Sequence, residues 1–259
     1  MTSLTLEDVF VEFPLYGSRR SLRKVLFERA TGGLITRQKD HENRIVIKAL
    51  NGVSLHLQDG DRIGLVGHNG AGKTTMLRVM AGVYEPIGGR VFAEGQITPL
   101  FDFMPGLDME DSGYENIITA GLLLGMSRKE IEARIPEIEE FSELGEYLSL
   151  PVRTYSSGMT TRLSFSVVTS LDPGILLMDE GIGAGDARFA KRAAERANEF
   201  INRSRIVVLA SHADGLIRSI CNKAALMHQG KIVALGAVDE VLEQYGVIAR
   251  GGPPPAPAT

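Results

Sequence analysis

The sequence predicts an α/β fold organised around a phosphate-binding loop, on two observations. Gly67-His68-Asn69-Gly70-Ala71-Gly72-Lys73-Thr74-Thr75 fits GxxxxGK[ST], between the apolar run Ile63-Gly64-Leu65-Val66 and a helix-like stretch over residues 76–81. Farther on, Ile175-Leu176-Leu177-Met178 and Ile206-Val207-Val208-Leu209-Ala210 are short continuous apolar runs. Strands buried on both faces show no alternation, and a helical stretch separates these two, so strand and helix alternate as in a parallel sheet.

Residues 5–13 alternate polar and apolar side chains and predict a first strand; residues 53–57 predict another, closed by the turn Gln58-Asp59-Gly60-Asp61. A basic insertion separates them. After the loop and its helix, Gly88-Gly89 leads into short β-type runs at 91–93 and 97–100. A helical insert follows, with helical periodicity over 114–124 and a capping box, Ser127-Arg128-Lys129-Glu130, opening a helix toward Ser142. Residues 156–171, 187–202 and 213–220 predict helices around the two buried strands. Residues 224–228 and 232–235 read as a hairpin about Gly230-Lys231, followed by a helix over 238–245. The tail Gly251-Gly252-Pro253-Pro254-Pro255-Ala256-Pro257 has the composition of a disordered segment.

A chain of 259 residues, 44% apolar, is long enough to bury a large core. No apolar run approaches the roughly 18 residues that cross a bilayer, and the start Met1-Thr2-Ser3-Leu4-Thr5 lacks a charged segment followed by an apolar one. A soluble chain in the cytoplasm is expected. The single cysteine, Cys221, excludes an internal disulfide and reads as a buried spectator. A net charge of −4 speaks against nucleic acid as a partner. One basic cluster stands out: Arg19, Arg20, Arg23, Lys24, Arg29, Arg37 and Lys39, with Leu22, Val25 and Leu26 at helix-like spacing. Two readings stand, a solvated surface helix or a contact with lipid head groups, a membrane partner or an anionic cargo.

The chemistry of the loop follows from its residue types. Glycines let successive backbone N–H groups turn toward an anion, and the following helix adds the positive end of its dipole. Lys73 reaches the β and γ phosphates, and the Thr74 hydroxyl is a magnesium ligand. Asp179 ends a buried strand and can aim a carboxylate at the same magnesium, while Glu180 beside it can polarise a water. Phosphoryl transfer to water needs this order, an in-line nucleophile and neutralised γ-phosphate charge.

With these motifs the chain resembles the ATP-binding subunits of ABC transporters over nearly all of residues 4–245. The resemblance implies a P-loop NTPase fold of the ABC ATPase type, with an antiparallel β subdomain and a helical subdomain. It implies an ATPase domain over residues 1–248, a helical subdomain over about 113–170, a basic insertion over about 17–44 and a disordered tail over 249–259. Tyr155-Ser156-Ser157-Gly158-Met159 lies where that family keeps its signature motif, and Ser156, Ser157, Gly158 and Met159 would meet the γ phosphate of a second copy. His212 matches the switch histidine, which senses that phosphate and helps hold the attacking water. Gly183-Ala184-Gly185-Asp186 falls at the D-loop, with Asp186 as the cross-subunit contact, although it departs from the common form. Tyr16 is the candidate for stacking on adenine, with Phe13 as competitor.

Three departures narrow the resemblance. Leu100-Phe101-Asp102-Phe103 stands where relatives carry the Q-loop glutamine, so Asp102 is expected to face magnesium. The signature ends in Met159, and the D-loop carries Gly-Asp. Together with the basic insertion and Gly113-Tyr114-Glu115-Asn116, these are similar to the branch that exports O-antigen, capsule, teichoic acid and galactan. The resemblance implies a homodimer binding two ATP with Mg2+, on the cytoplasmic face of the cell membrane. It would work with transmembrane permease subunits, two copies expected, to export a lipid-linked glycan entering near the basic insertion. The permease's cytoplasmic helix would dock about residues 102–111 and the helical insert. Some O-antigen exporters append a carbohydrate-binding domain; the short proline-rich tail leads us to expect none here. The alternatives are an exporter of another lipid or drug, and a soluble ABC ATPase outside transport.

Overall fold

A computed structural model describes residues 1–15, 34–37, 45–100, 106–179 and 187–253. The chain divides into two compact units: Met1–Gly95, Leu177–Glu180 and Arg205–Thr259 form the first, Gln96–Leu176 and Gly181–Ser204 the second.

The first unit carries two sheets. β1 (Ser3–Leu15) buries Leu4 and Leu6, then Val9 and Val11, so its inward phase slips by one residue at Asp8. Asp8 takes φ 47, and the pairing registers shift there, which is how a bulge keeps the apolar side chains on one face. β1 pairs antiparallel with β3 (Ile45–Gln58) and, on its other edge, with β5 (Gly88–Glu94). β2 (Leu34–Arg37) adds to the free edge of β3. This short strand within the basic insertion has no counterpart in the sequence reading, because four residues carry too little periodicity.

In the other sheet β4 (Arg62–Val66) lies between two parallel neighbours, β8 (Ile206–Ala210) and β9 (Lys223–His228). All five residues of β8 are buried, which accounts for its unbroken apolar sequence. β9 turns into β10 (Lys231–Gly236) through Gln229 and Gly230, both with positive φ, the conformation a two-residue hairpin favours. On the far side of β8 lies the last part of β7 (Ile175–Met178). α1 (Lys73–Met80) follows β4 and buries Met76, Leu77, Val79 and Met80. The carboxyl ends of β4, β8 and β7 are the ends at which an α/β sheet collects its ligand. α6 (Asp214–Ile220) and α7 (Val238–Ala249) complete the unit, with the labels α2 to α5 belonging to the second.

The second unit is mainly helical: α2 (Gly113–Leu123), α3 (Arg128–Ser142), α4 (Ser157–Thr169) and α5 (Ala187–Arg203), with β6 (Ile97–Pro99) beside the start of β7. The box expected at Ser127 forms, and Ser112 with Glu115 makes a second one. These bonds hold the Glu115 and Glu130 carboxyls below their usual range. The core gathers Phe141, Phe165, Phe189, Ala193 and Ala197, the last three at a spacing of four along α5. Among the described residues, no helix is long and apolar enough to cross a membrane.

Candidate functional site: a phosphate loop

The loop between β4 and α1 is shaped by backbone that only glycine tolerates. Gly67 has φ 146 and Gly72 has φ 110. A Cβ on Gly67 would lie 2.3 Å from the Met227 carbonyl oxygen, and one on Gly72 would lie 2.7 Å from that of Ala49. The hairpin turn holds the loop from below: Gly230 N–H donates to the Ala71 oxygen at 2.9 Å, and Asn51 N–H donates to the Gly230 oxygen at 2.9 Å. Gly72 caps α1 with no side chain, so the N–H groups of the first turn face outward as an anion site requires.

Lys73 is nearly buried, and its Nζ donates to the Gly67 oxygen at 2.6 Å and the His68 oxygen at 3.3 Å. It also lies 3.3 Å from His212 Nε2. An ammonium only donates, so Nε2 can accept from it in the tautomer that carries its proton on Nδ1. The ammonium is thus held over the loop by acceptors that an incoming phosphate would replace. Thr74 Oγ1 donates to Asp179 Oδ2 at 2.8 Å. A hydroxyl and a carboxylate converging at a strand end form an all-oxygen donor pair, which fits Mg2+.

The first unit therefore brings together Lys73, Thr74, Asp179 and His212, from three strand ends. His68 sits in the same loop, with Nδ1 2.8 Å from the Asn69 oxygen and Nε2 3.2 Å from His228 Nδ1. Burial, and then the neighbouring His68, push the His228 imidazole below its usual value. Sequence reasoning missed His228, since 160 positions separate it from His68 and only the β4–β9 pairing joins them. Phe13 packs edge-on against Tyr84 with centroids 5.3 Å apart, so that ring already has an aromatic partner.

In the second unit Ser156 caps α4, its Oγ accepting from Met159 N–H at 3.2 Å, and Ser157 and Gly158 form the first turn. Ser157 is exposed. Among the described residues, a Cβ on Gly158 would find only Ser156 Oγ, at 3.8 Å. Asn116, fully buried, accepts from Asp108 N–H and donates to the oxygens of Asp108, Asp111 and Ser112. Tyr16, Asp102, Glu180 and Asp186 lie outside the described residues, as do most of the basic insertion and the end of the tail.

Residues 50–183 match the family described as ABC transporter. The chain is 47% identical over 233 residues to the O-antigen export system ATP-binding protein RfbE of Yersinia enterocolitica, covering 90% of this chain and 97% of that one. It is 36% identical over 248 residues to the O-antigen export system ATP-binding protein RfbB of Myxococcus xanthus, covering 95% of this chain and 56% of that longer one. The ABC transporter protein AbcA of Aeromonas salmonicida is 36% identical over 200 residues, or 77% of this chain and 65% of AbcA. Among solved structures, an ATP-binding subunit of an ABC transporter superposes with a TM-score of 0.66 at 22% identity, covering 94% of this chain and 93% of that one. A dimeric ATP-binding cassette, MJ0796, in a post-hydrolysis state bound to ADP and Pi superposes with a TM-score of 0.63 at 18% identity, covering 91% and 98%. At such identities the likeness is one of fold.

Proposed function

The chain belongs to the ABC transporter family, and from that membership we propose that it is the ATPase that powers export of a polysaccharide of the O-antigen type. The observation that carries the ATPase is the Lys73, Thr74, Asp179 and His212 constellation on a phosphate loop. The cargo is argued from the O-antigen export relatives, one of them matched over almost its full length.

Each step is assigned to residues of this chain. Backbone N–H groups of residues 67–75 and the Lys73 ammonium bind the phosphates, and Thr75 lies in the same first turn of α1. Thr74 and Asp179 hold Mg2+, which supplies charge neutralisation on the phosphates, with Asp102 as a further oxygen donor. Glu180 accepts a proton from the water whose oxygen bonds to the γ phosphorus as the bond to the β–γ bridging oxygen breaks. His212 orients that water. Tyr16 stacks on adenine. Two copies share two sites, ATP on one being closed by Ser156, Ser157, Gly158 and Met159 of the other, with Asp186 at the contact. Two permease subunits complete the complex on the cytoplasmic face, and the basic insertion meets the pyrophosphate of the lipid-linked glycan.

The test is Glu180→Gln. The variant is expected to bind ATP, run as a stable dimer on size exclusion and turn over at under about a hundredth of the wild-type rate. Wild-type turnover by Glu180→Gln would refute the assignment of the base. In cells, loss of the gene is expected to stop surface display while the glycan accumulates inside.

A further inference from the structure

Glu143 follows the last residue of α3 with left-handed backbone, φ 52, and its carboxylate serves two other helices. Oε2 accepts from Arg162 Nη2 of α4 at 2.7 Å, and Oε1 accepts from Arg192 Nη1 of α5. Each guanidinium also covers a ring on a further helix. Arg162 lies over Phe189 of α5 and Arg192 over Phe141 of α3, both 5.0 Å from the centroid. The rings themselves meet, Phe141 with Phe189 at 5.5 Å and Phe165 with Phe189 at 6.2 Å. Carboxylate, two guanidiniums and three rings thus form one closed cluster joining α3, α4 and α5.

This is a costly way to gain stability. The Arg162 side chain is 18% exposed, and its Nε is buried without a hydrogen-bond partner among the described residues. Withdrawing that charge from water offsets much of what the ion pair returns, and apolar side chains would fill the space at least as well. What the cluster supplies is position. Arg162 stands in the second turn of α4, directly behind Ser157 and Gly158, and α5 begins at Ala187, immediately after the segment 180–186 that holds Glu180 and Asp186. At the other end of α4, Arg196 ties the same helices through Glu137 and Thr169 Oγ1.

We propose that Glu143 is a positioning residue for ATP hydrolysis: by holding Arg162 and Arg192 together, it fixes the first turns of α4 against α5. This rests on the reading that Ser157 and Gly158 close the ATP site of a second copy. Losing the Glu143 charge then weakens closure of the shared site, with ATP binding to a single copy unaffected.

The experiment compares Glu143→Gln, Arg192→Gln and Glu137→Gln in the full chain. It measures melting temperature, ATP affinity by titration, kcat, KM and the dependence of specific activity on protein concentration. Glu143→Gln is expected to lower kcat about tenfold and to move half-maximal activity to higher protein concentration, with ATP affinity kept. Arg192→Gln, which leaves the Arg162 pair in place, loses less. Glu137→Gln, which breaks the distal pair, keeps kcat within about twofold at a similar melting temperature. Equal losses of kcat in Glu143→Gln and Glu137→Gln, or wild-type kcat in Glu143→Gln, overturn the proposal and leave the shared site standing. Wild-type activity independent of protein concentration overturns the shared site, and the proposal with it.

Discussion

Gly67→Ala tests whether the phosphate loop is shaped by what lies beneath it. The added methyl meets two costs. At φ 146 an alanine is strained by about 1–3 kcal/mol. Its Cβ would also stand 2.3 Å from the Met227 oxygen, about 1 Å inside ordinary contact. That oxygen cannot easily yield, because Met227 pairs with Ile232 in the hairpin and its neighbour Leu226 pairs with Val66 of β4. The loop must therefore rise by about 1 Å, a displacement that costs up to about a hundredfold where geometry is exacting. Gly82→Ala separates the two terms, since Gly82 has φ 72 but, among the described residues, open space around its Cβ position. Both variants are expected to melt at lower temperature. In isothermal titration only Gly67→Ala is expected to lose ATP affinity, by about tenfold or more. Unchanged ATP affinity in Gly67→Ala would show that the Met227 contact does not set the loop; equal losses in both variants would trace the effect to general destabilisation.

Two other substitutions carry clear expectations. Gly158→Ala meets no clash among the described residues and sits in a helical turn, so its stability is expected to stay within about 1 kcal/mol of wild type. Its ATPase rate is nevertheless expected to fall about tenfold or more, read as phosphate release, and an unimpaired rate would remove Gly158 from the site. Burial pushes the Cys221 thiol up to about 12 from its usual 9.0. An acid whose folded value is raised stabilises the fold fully below the unfolded value and loses that contribution as pH rises from 9 toward 12. By pH 10 the loss is about 1.4 kcal/mol, at the constant of 1.36 kcal/mol per unit. Urea titrations of wild type and Cys221→Ala at pH 8 and pH 10 are expected to differ in slope with pH by that amount; parallel losses in the two proteins would contradict it.

The residues that the sequence made legible are those whose reason is local. Apolar runs without alternation announced β7 and β8, because burial on both faces leaves no polar position to mark. Ser127 and Glu130 announced the start of α3, because a capping box is a contract between residues three apart. The loop was readable because phosphate chemistry dictates glycine spacing and the Lys73-Thr74 pair. Contacts set by pairing between distant strands or helices were not readable. His228 reaches His68 only because β9 pairs with β4, and Glu143 meets Arg162 and Arg192 only because three helices pack on one cluster of phenylalanines. β1 was read two residues short at each end, at Ser3 and Leu4 and at Pro14 and Leu15.

The glycines of the phosphate loop and of the segment that opens α4 differ in a way that bears on the proposed shared site. Gly67 and Gly72 are required by this chain itself, since the carbonyls of Met227 and Ala49 occupy the space a side chain would need. Folding alone accounts for them, and the loop they shape is complete in one copy. Among the described residues nothing requires Gly158: its backbone is ordinary helix, its Cβ position is open, and alanine would make the better helix. A glycine without an internal reason is accounted for by a close approach from outside, and beside the exposed Ser157 at a helix N-terminus the approaching group suited to the site is an anion. This contrast favours a site divided between two copies, one giving the loop and the other giving the first turn of α4. It also explains why Glu143, which touches neither motif, would affect turnover and spare binding.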